Sequence, residues 1–420
     1  MLRLLRLELL LLLRGRAVIV GIALILAAGI FGLVHGHTVI ARQQAAIARS
    51  ASLQDEEHRR ILAPVAPTAN AANQLYYLYF HTVREPSAWA PVAIGQRDVQ
   101  AFNLKVTTRA LQEQLYNAEF GNPLLAAFGN FDLAFVFVVL APLLVIAMTF
   151  NVFSGERELG TWDLLRSQPR HPVGVLALKF GLRALLTSLA VLLLQVVATL
   201  ALDLPLDGRW MVVAAGTVAH IMFWVVAAVV VSAWRRSSDV NVLVLLGIWI
   251  VCTVLGPALV NVAAAARFPL PEALELTVLA RQGYHSSWDR PLAKTMAPFY
   301  QRYPEWRHVT LPTDRYSNGW YYAMQQRGDD LAQPAAERYR RSLEARELWV
   351  ATWSRLFPPA ALERLLTGVA HTDLAAYLAY LDSVAAHHER LKQHFFPVIF
   401  SEWSMAEVDF TAAPRHHYRD

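Results

Sequence analysis

Five long apolar runs, at 17–35, 131–153, 184–201, 210–233 and 241–264, constrain this chain more than any other feature. Each is close to the roughly 20 residues that a helix needs to cross the hydrocarbon core of a bilayer. Hydrocarbon offers no water to backbone amides, so an isolated span must be helical, and five separate runs cannot close a barrel. Composition agrees: 55% of the 420 residues are hydrophobic against 17% charged, and the apolar ones lie in runs, which excludes a soluble domain. The sequence predicts an all-α membrane protein with about five transmembrane helices.

Orientation follows from Lys and Arg. Arg3, Arg6, Arg14 and Arg16 precede the first run, Arg157, Arg166, Arg170, Lys179 and Arg183 follow the second, and Arg235 and Arg236 separate the fourth from the fifth. The link 202–209 carries Asp203 and Asp207 against one Arg. The N-terminus is therefore expected inside, with 36–130 and 265–420, including the C-terminus, outside. The first run is read as a retained span: it is too long for a signal peptide, a leucine-rich helix precedes it, and no small-residue cleavage site comes after it. The single cysteine, Cys252, lies within the fifth run, so the outer segments must rest on ordinary packed cores. The net charge of +5 reflects cytoplasmic anchoring, and no basic, aromatic-bearing soluble face points to nucleic acid.

Residues 1–16 place Leu at nearly every position around Arg3, Arg6 and Glu8, the pattern of an amphipathic helix lying in the interface and leading into the span 17–35. In the outer segment 36–130, a helix-compatible stretch over 38–62 prolongs that span, and Pro64, Pro67, Pro86 and Pro91 break up the chain beyond it. After the bundle 131–264, the segment 265–420 opens with an irregular zone rich in aromatics, among them Trp288, Tyr300, Trp320, Tyr321 and Tyr322. Helical patterns run over 337–356 and 360–396, the latter interrupted near Gly368. At about 95 and 150 residues, the two outer segments are long enough to share a core. One mainly helical extracytoplasmic domain built from both insertions is expected.

The stretch 150–169 is too polar for a lipid anchor and is pinned between two spans. Ser154, Gly155 and Gly160 loosen the helix, and Pro169 and Pro172 end it. Leu159, Trp162 and Leu165 fall three apart and form one apolar face in a short helix near 155–169. Such an element suits a groove on a cytoplasmic partner.

These residues resemble the cytoplasmic signature of ABC-2-type permeases: E-x-E-x-G-T, paired leucines, a serine, a proline and a downstream lysine. Glu156, Glu158, Gly160, Thr161, Leu164, Leu165, Ser167, Pro169 and Lys179 match it. The resemblance implies a permease subunit whose coupling helix, carrying Glu156, Arg157, Glu158, Gly160, Thr161, Trp162, Leu164 and Leu165, docks on a separate, dimeric ATP-binding-cassette ATPase. ATP and Mg would be bound there, and Glu156 and Glu158 would meet basic groups on that partner. Pro358-Pro359-Ala360-Ala361-Leu362, Gly368, Thr372-Asp373, Glu389-Arg390 and Phe395-Phe396 resemble the second outer loop of a subgroup with large loops after the first and fifth spans. Two features depart from the family. Asn151 stands where Asp is frequent, and 391–420 holds no apolar run fit for a sixth span. A second permease copy or a paralogous permease is expected beside it, among the lipids of a bacterial plasma (inner) membrane.

No catalytic residue is expected. The phosphate-cradling G-x-x-x-x-G-K-[ST] is absent, so no nucleotide or other cofactor is assigned to this chain. His35 and His37, His387 and His388, and His416 and His417 are pairs without fixed further ligands; they read as solvated surface histidines, with no metal. Within the spans, Gln195, His220, Asn241 and Asn261 are candidates for a translocation pathway, set against the favoured reading of helix-to-helix hydrogen bonds. The function expected is coupling of ATP hydrolysis in a separate subunit to substrate export or translocation. The alternative is a membrane-anchored scaffold or receptor whose outer domain binds a protein or lipid under ATPase control.

Overall fold

In the computed structural model, which describes residues 2–115, 130–167, 172–270, 273–312 and 316–419, five helices are long and apolar enough to cross a membrane. They are Arg16–Leu62, Leu133–Glu158, Val173–Leu202, Gly208–Ala233 and Ser238–Arg267. The first continues without a break for 47 residues, far past its apolar part, and carries the chain up into a folded domain. It is preceded by the amphipathic helix Leu2–Arg14.

Local chemistry sets where the spans begin and bend. Asp132 caps the second, accepting from the Phe135 amide at 2.9 Å, while its other oxygen accepts from the Ile94 amide at 2.8 Å and so ties the first inserted segment to the bundle. Asp207 caps the fourth in the same way. The second and fifth spans each contain a π-turn, Val136–Leu140 and Val251–Leu255, with Pro142 and Pro257 just beyond. A proline cannot donate and crowds the carbonyl four residues back; a wider turn relieves the conflict.

The bundle core runs through Phe137, Val191, Ile221 and Trp224, and also takes in Leu362, Leu366 and Ala370 from the helix Pro358–Ala370. That helix belongs to the folded domain yet closes one end of the bundle. Its side chains Leu362 and Leu365 fill the space over Gly216, and Phe357 fills the space over Gly256.

The domain draws on both insertions. Phe80, Tyr322, Phe395, Phe396 and Phe299 centre its core. The expected helical architecture is joined by a small sheet of order β2-β1-β3, from β1 (Phe80–Glu85), β2 (Asn103–Val106) and β3 (Tyr418–Arg419). β1 pairs antiparallel with β2 and parallel with β3, which brings the end of the chain beside its first insertion.

Two sequence expectations are corrected by the fold. The aromatic zone expected to be irregular is largely helical: Ala273–His285 and Leu292–Arg302 lie within it, and Trp320, Tyr321 and Tyr322 open the helix Asn318–Ser354, capped by Ser317. Tertiary burial of the rings overrides their modest helix propensity. The interruption expected near Gly368 falls at His371, which is left-handed at φ 55°, with Asp373 capping the next helix Leu374–Phe400.

Candidate functional site

The polar stretch that ends the second candidate span and leads to the third folds as a hairpin. The chain turns over 150–153, forms Ser154–Glu158, reverses at Gly160 and runs on as Thr161–Ser167. Gly160 has φ 70°, a left-handed value that costs any residue with a Cβ. The single apolar face expected of Leu159, Trp162 and Leu165 does not form, because this reversal breaks the helical phase. Trp162 turns inward with its ring edge-on to Phe153 at 4.9 Å, and Leu165 is half-buried. Leu159 and Leu164 point away from the bundle, 79% and 66% exposed. Gln168, Pro169 and Arg170 lie outside the described residues.

The motif's two glutamates hold this hairpin to two different spans. One oxygen of Glu156 meets the Lys179 ammonium of the third span at 2.5 Å, and the other accepts from the Thr161 hydroxyl at 2.5 Å. The same Lys179 ammonium lies 3.2 Å from Glu8 of the N-terminal amphipathic helix. Arg183, one turn further along, donates to the Met148 carbonyl at 2.7 Å, which fastens the third span to the second. Glu158 caps the fifth span: it accepts from the Ser238 amide at 2.7 Å and from the Ser238 hydroxyl at 2.8 Å, where a negative group also complements the helix dipole. Arg157 donates to the Arg235 carbonyl, and the hydroxyls of Ser154 and Ser238 lie 2.8 Å apart.

Both carboxylates are thus engaged within the chain, where sequence reasoning had them reaching for an external cation. Glu8, which shares the Lys179 ammonium with Glu156, and Ser238, the partner of Glu158, were missed. Ser237-Ser238-Asp239 ahead of an apolar run is a helix-start pattern that could have exposed the second. Glu8 is the one acidic residue among the leucines of its helix, a weaker signal.

The four polar span residues do not converge. Gln195 donates to the Trp210 carbonyl at 2.9 Å, His220 lies 3.3 Å from both the Val138 carbonyl and the Trp224 indole nitrogen, and Asn241 donates to the Phe150 carbonyl at 3.2 Å. Each joins elements of the bundle at a different level. Asn261 lies on an exposed face of the fifth span.

The histidines expected at the surface of the domain are mostly in its core. His387, His388 and His416 are buried; only His417 of the two pairs is exposed. His388 donates to the Arg109 carbonyl at 2.7 Å, and His416 accepts from the Val83 amide at 3.1 Å. Burial, assisted by Lys392 near His388 and by Arg390 near the other two, pushes His387, His388 and His416 down to about 4, 3 and 4, so all three are neutral at physiological pH. Among the described residues no group of three or more His, Cys, Asp or Glu is placed to hold a metal ion.

A helical bundle of five candidate spans, with a polar hairpin clamped at one end and a folded domain at the other, defines a multi-pass transmembrane subunit. The sequence matches the ABC-2 family transporter protein family over residues 4–285, well over half the chain, and the chain belongs to that family. It is a permease subunit of an ATP-binding-cassette transporter, and membership implies partnership with an ABC ATPase. Residues 274–419 match a domain of unknown function, DUF3526, which covers most of the second insertion. No curated protein and no solved structure matches the chain.

Proposed function

We propose that the hairpin Ser154–Ser167 is the lever by which a separate ATPase subunit drives this bundle to move a substrate across the membrane. The hairpin end faces the cytoplasm, as the basic residues flanking it favour, and the folded domain stands on the extracytoplasmic side of a bacterial plasma membrane. The carrying observation is the double attachment: Glu156 to Lys179 of the third span and Glu158 to Ser238 of the fifth. A displacement of the hairpin is passed to both spans at once, as a change between inward-open and outward-open states requires. Leu159 and Leu164 are the knobs offered to a groove on the ATPase, and the carboxylates hold the lever in place. The thinly covered first and fifth spans are the faces available to a second permease and to lipid.

Leu159→Glu with Leu164→Glu, in the intact transporter in liposomes, tests this. The expected result is loss of ATPase copurification and of ATP-driven substrate accumulation, with the permease still folded. Normal copurification and transport would overturn the lever. Undisturbed solute distribution in the wild-type complex, alongside ATP-dependent binding of a protein or lipid by the domain, would favour a scaffold or receptor.

A further inference from the structure

Four large aromatic side chains on the domain are conspicuously uncovered: Tyr76 at 40%, Tyr77 at 57%, Trp288 at 42% and Tyr316 at 50% exposure. They come from sequence-distant segments, yet they form one surface. Tyr76 and Tyr77 meet edge-on at 4.9 Å, Trp288 and Tyr316 lie near-parallel at 6.3 Å, and Tyr321 joins the two pairs through contacts of 6.0 Å to Tyr76 and 6.3 Å to Tyr316. The rings line an open cleft of about 430 Å³. Clustered exposed aromatics of this kind mark an interaction site.

The cleft is far from the end of the fifth span. The helix Asn318–Ser354 starts in the cleft, while Arg346, twenty-eight residues on, donates to the Phe268 carbonyl at the end of the fifth span. At the helical rise that separation is about 40 Å, so these rings are not an interfacial belt of the kind that seats a span.

The remaining chemistry narrows the ligand. Among the described residues no charged side chain lines the cleft, and its polar groups are the tyrosine phenols and the carboxamides of Gln74, Asn73 and Asn318, of which Asn318 already donates to Asn73 at 2.9 Å and accepts from the Tyr316 hydroxyl at 3.3 Å. A carboxamide both donates and accepts, as a hydroxyl does, whereas a proline-rich peptide offers only carbonyl acceptors. A cation is disfavoured, because the Arg109 guanidinium already sits 4.5 Å over the Tyr76 ring. Flat ring faces paired with amides suit a pyranose, which presents C–H on its faces and hydroxyls at its rim. We infer that the Tyr76–Tyr77–Trp288–Tyr316 cleft of the domain binds an uncharged, N-acetylated glycan chain, whose acetamido groups match the carboxamides of Gln74 and Asn73.

The test uses the full-length protein in nanodiscs with a β-1,4-linked N-acetylglucosamine tetrasaccharide, followed by calorimetry and saturation-transfer NMR. Wild type is expected to bind, and Tyr77→Ala and Trp288→Ala, both at exposed positions, to weaken binding about tenfold or more with unchanged melting. Tyr316→Phe, which keeps the ring, is expected to retain binding. No binding of the tetrasaccharide, or binding indifferent to both alanine substitutions, would overturn the inference. So would capture of an oligoproline peptide or of choline at these rings in its place.

Discussion

Glu8 of the N-terminal helix and Lys179 of the third span form an ion pair of 3.2 Å, and the same ammonium holds Glu156 of the hairpin at 2.5 Å. One cation therefore fastens two elements that sequence distance keeps apart. Glu8, Lys179 and Glu156 are largely covered, at 12%, 14% and 18% exposure, so solvent screens them weakly. Lys179→Met leaves two carboxylates facing each other near Arg183 alone and is expected to cost about 2–3 kcal/mol of stability. Adding Glu8→Gln and Glu156→Gln should restore more than half of that loss. Thermal unfolding of wild type, Lys179→Met, Glu8→Gln with Glu156→Gln, and the triple variant closes the cycle, and additive losses would show that the three groups do not act as a unit.

Glu158 and Gly160 do different work in the same hairpin, one capping the fifth span at Ser238 and the other providing the left-handed reversal. Glu158→Ala with Gly160→Ala removes the attachment and strains the turn, where the left-handed conformation costs a residue with a Cβ about 1–2 kcal/mol. The bundle core does not include either residue. The expected outcome is a folded permease with a modestly lowered melting temperature, from which the ATPase detaches, or with which it hydrolyses ATP without moving substrate. Wild-type copurification, hydrolysis and transport together would refute this role.

The spans and the family were legible because both are written locally: a run of apolar residues is a helix in hydrocarbon whatever surrounds it, and E-x-E-x-G-T is contiguous. The clamp was not. Glu156 and Glu158 read as groups that meet basic residues of an ATPase, because their partners within the chain, Lys179 and Ser238, are brought to them only by packing of separate spans. His387 and His388 misled for a related reason. A pair of imidazoles at successive positions looks polar on paper, but the helix Leu374–Phe400 is embedded in the domain core and turns both inward. The β1–β3 pairing joins residues more than three hundred positions apart, and a two-residue strand carries no periodic signal.

Glycines along the first span predict a steep contrast. A Cβ at Gly36 would sit 2.0 Å from the Pro91 carbonyl oxygen, and one at Gly32 would sit 2.7 Å from that of Asp132. Both obstacles are backbone, which cannot rotate away. Gly36→Ala should therefore push the first insertion off the span and cost about 2 kcal/mol or more. Gly181→Ala in the third span meets nothing within 4 Å and should be neutral or stabilising by up to about 1 kcal/mol. Melting temperatures of the two variants in one detergent decide the point, and equal effects would contradict the close approach.

His388 gives the domain a defined acid sensitivity. Its folded-state value, lowered to about 3 by burial, lies below the ordinary 6.5, so the unfolded chain takes up a proton that the folded one refuses. The resulting stability is complete above pH 6.5 and is lost as pH falls below it. His388→Gln keeps a donor for the Arg109 carbonyl but does not titrate. The variant should be less stable than wild type at pH 7.5, and the gap should narrow by about 1 kcal/mol per pH unit below 6.5. Asp329, raised to about 6 by burial, gains stability as pH falls, but it does so in both proteins and cancels in the comparison. Denaturant unfolding of the two proteins between pH 7.5 and 4.5 reads the gap directly, and parallel curves would mean that His388 titrates in the folded domain as it does in the unfolded chain.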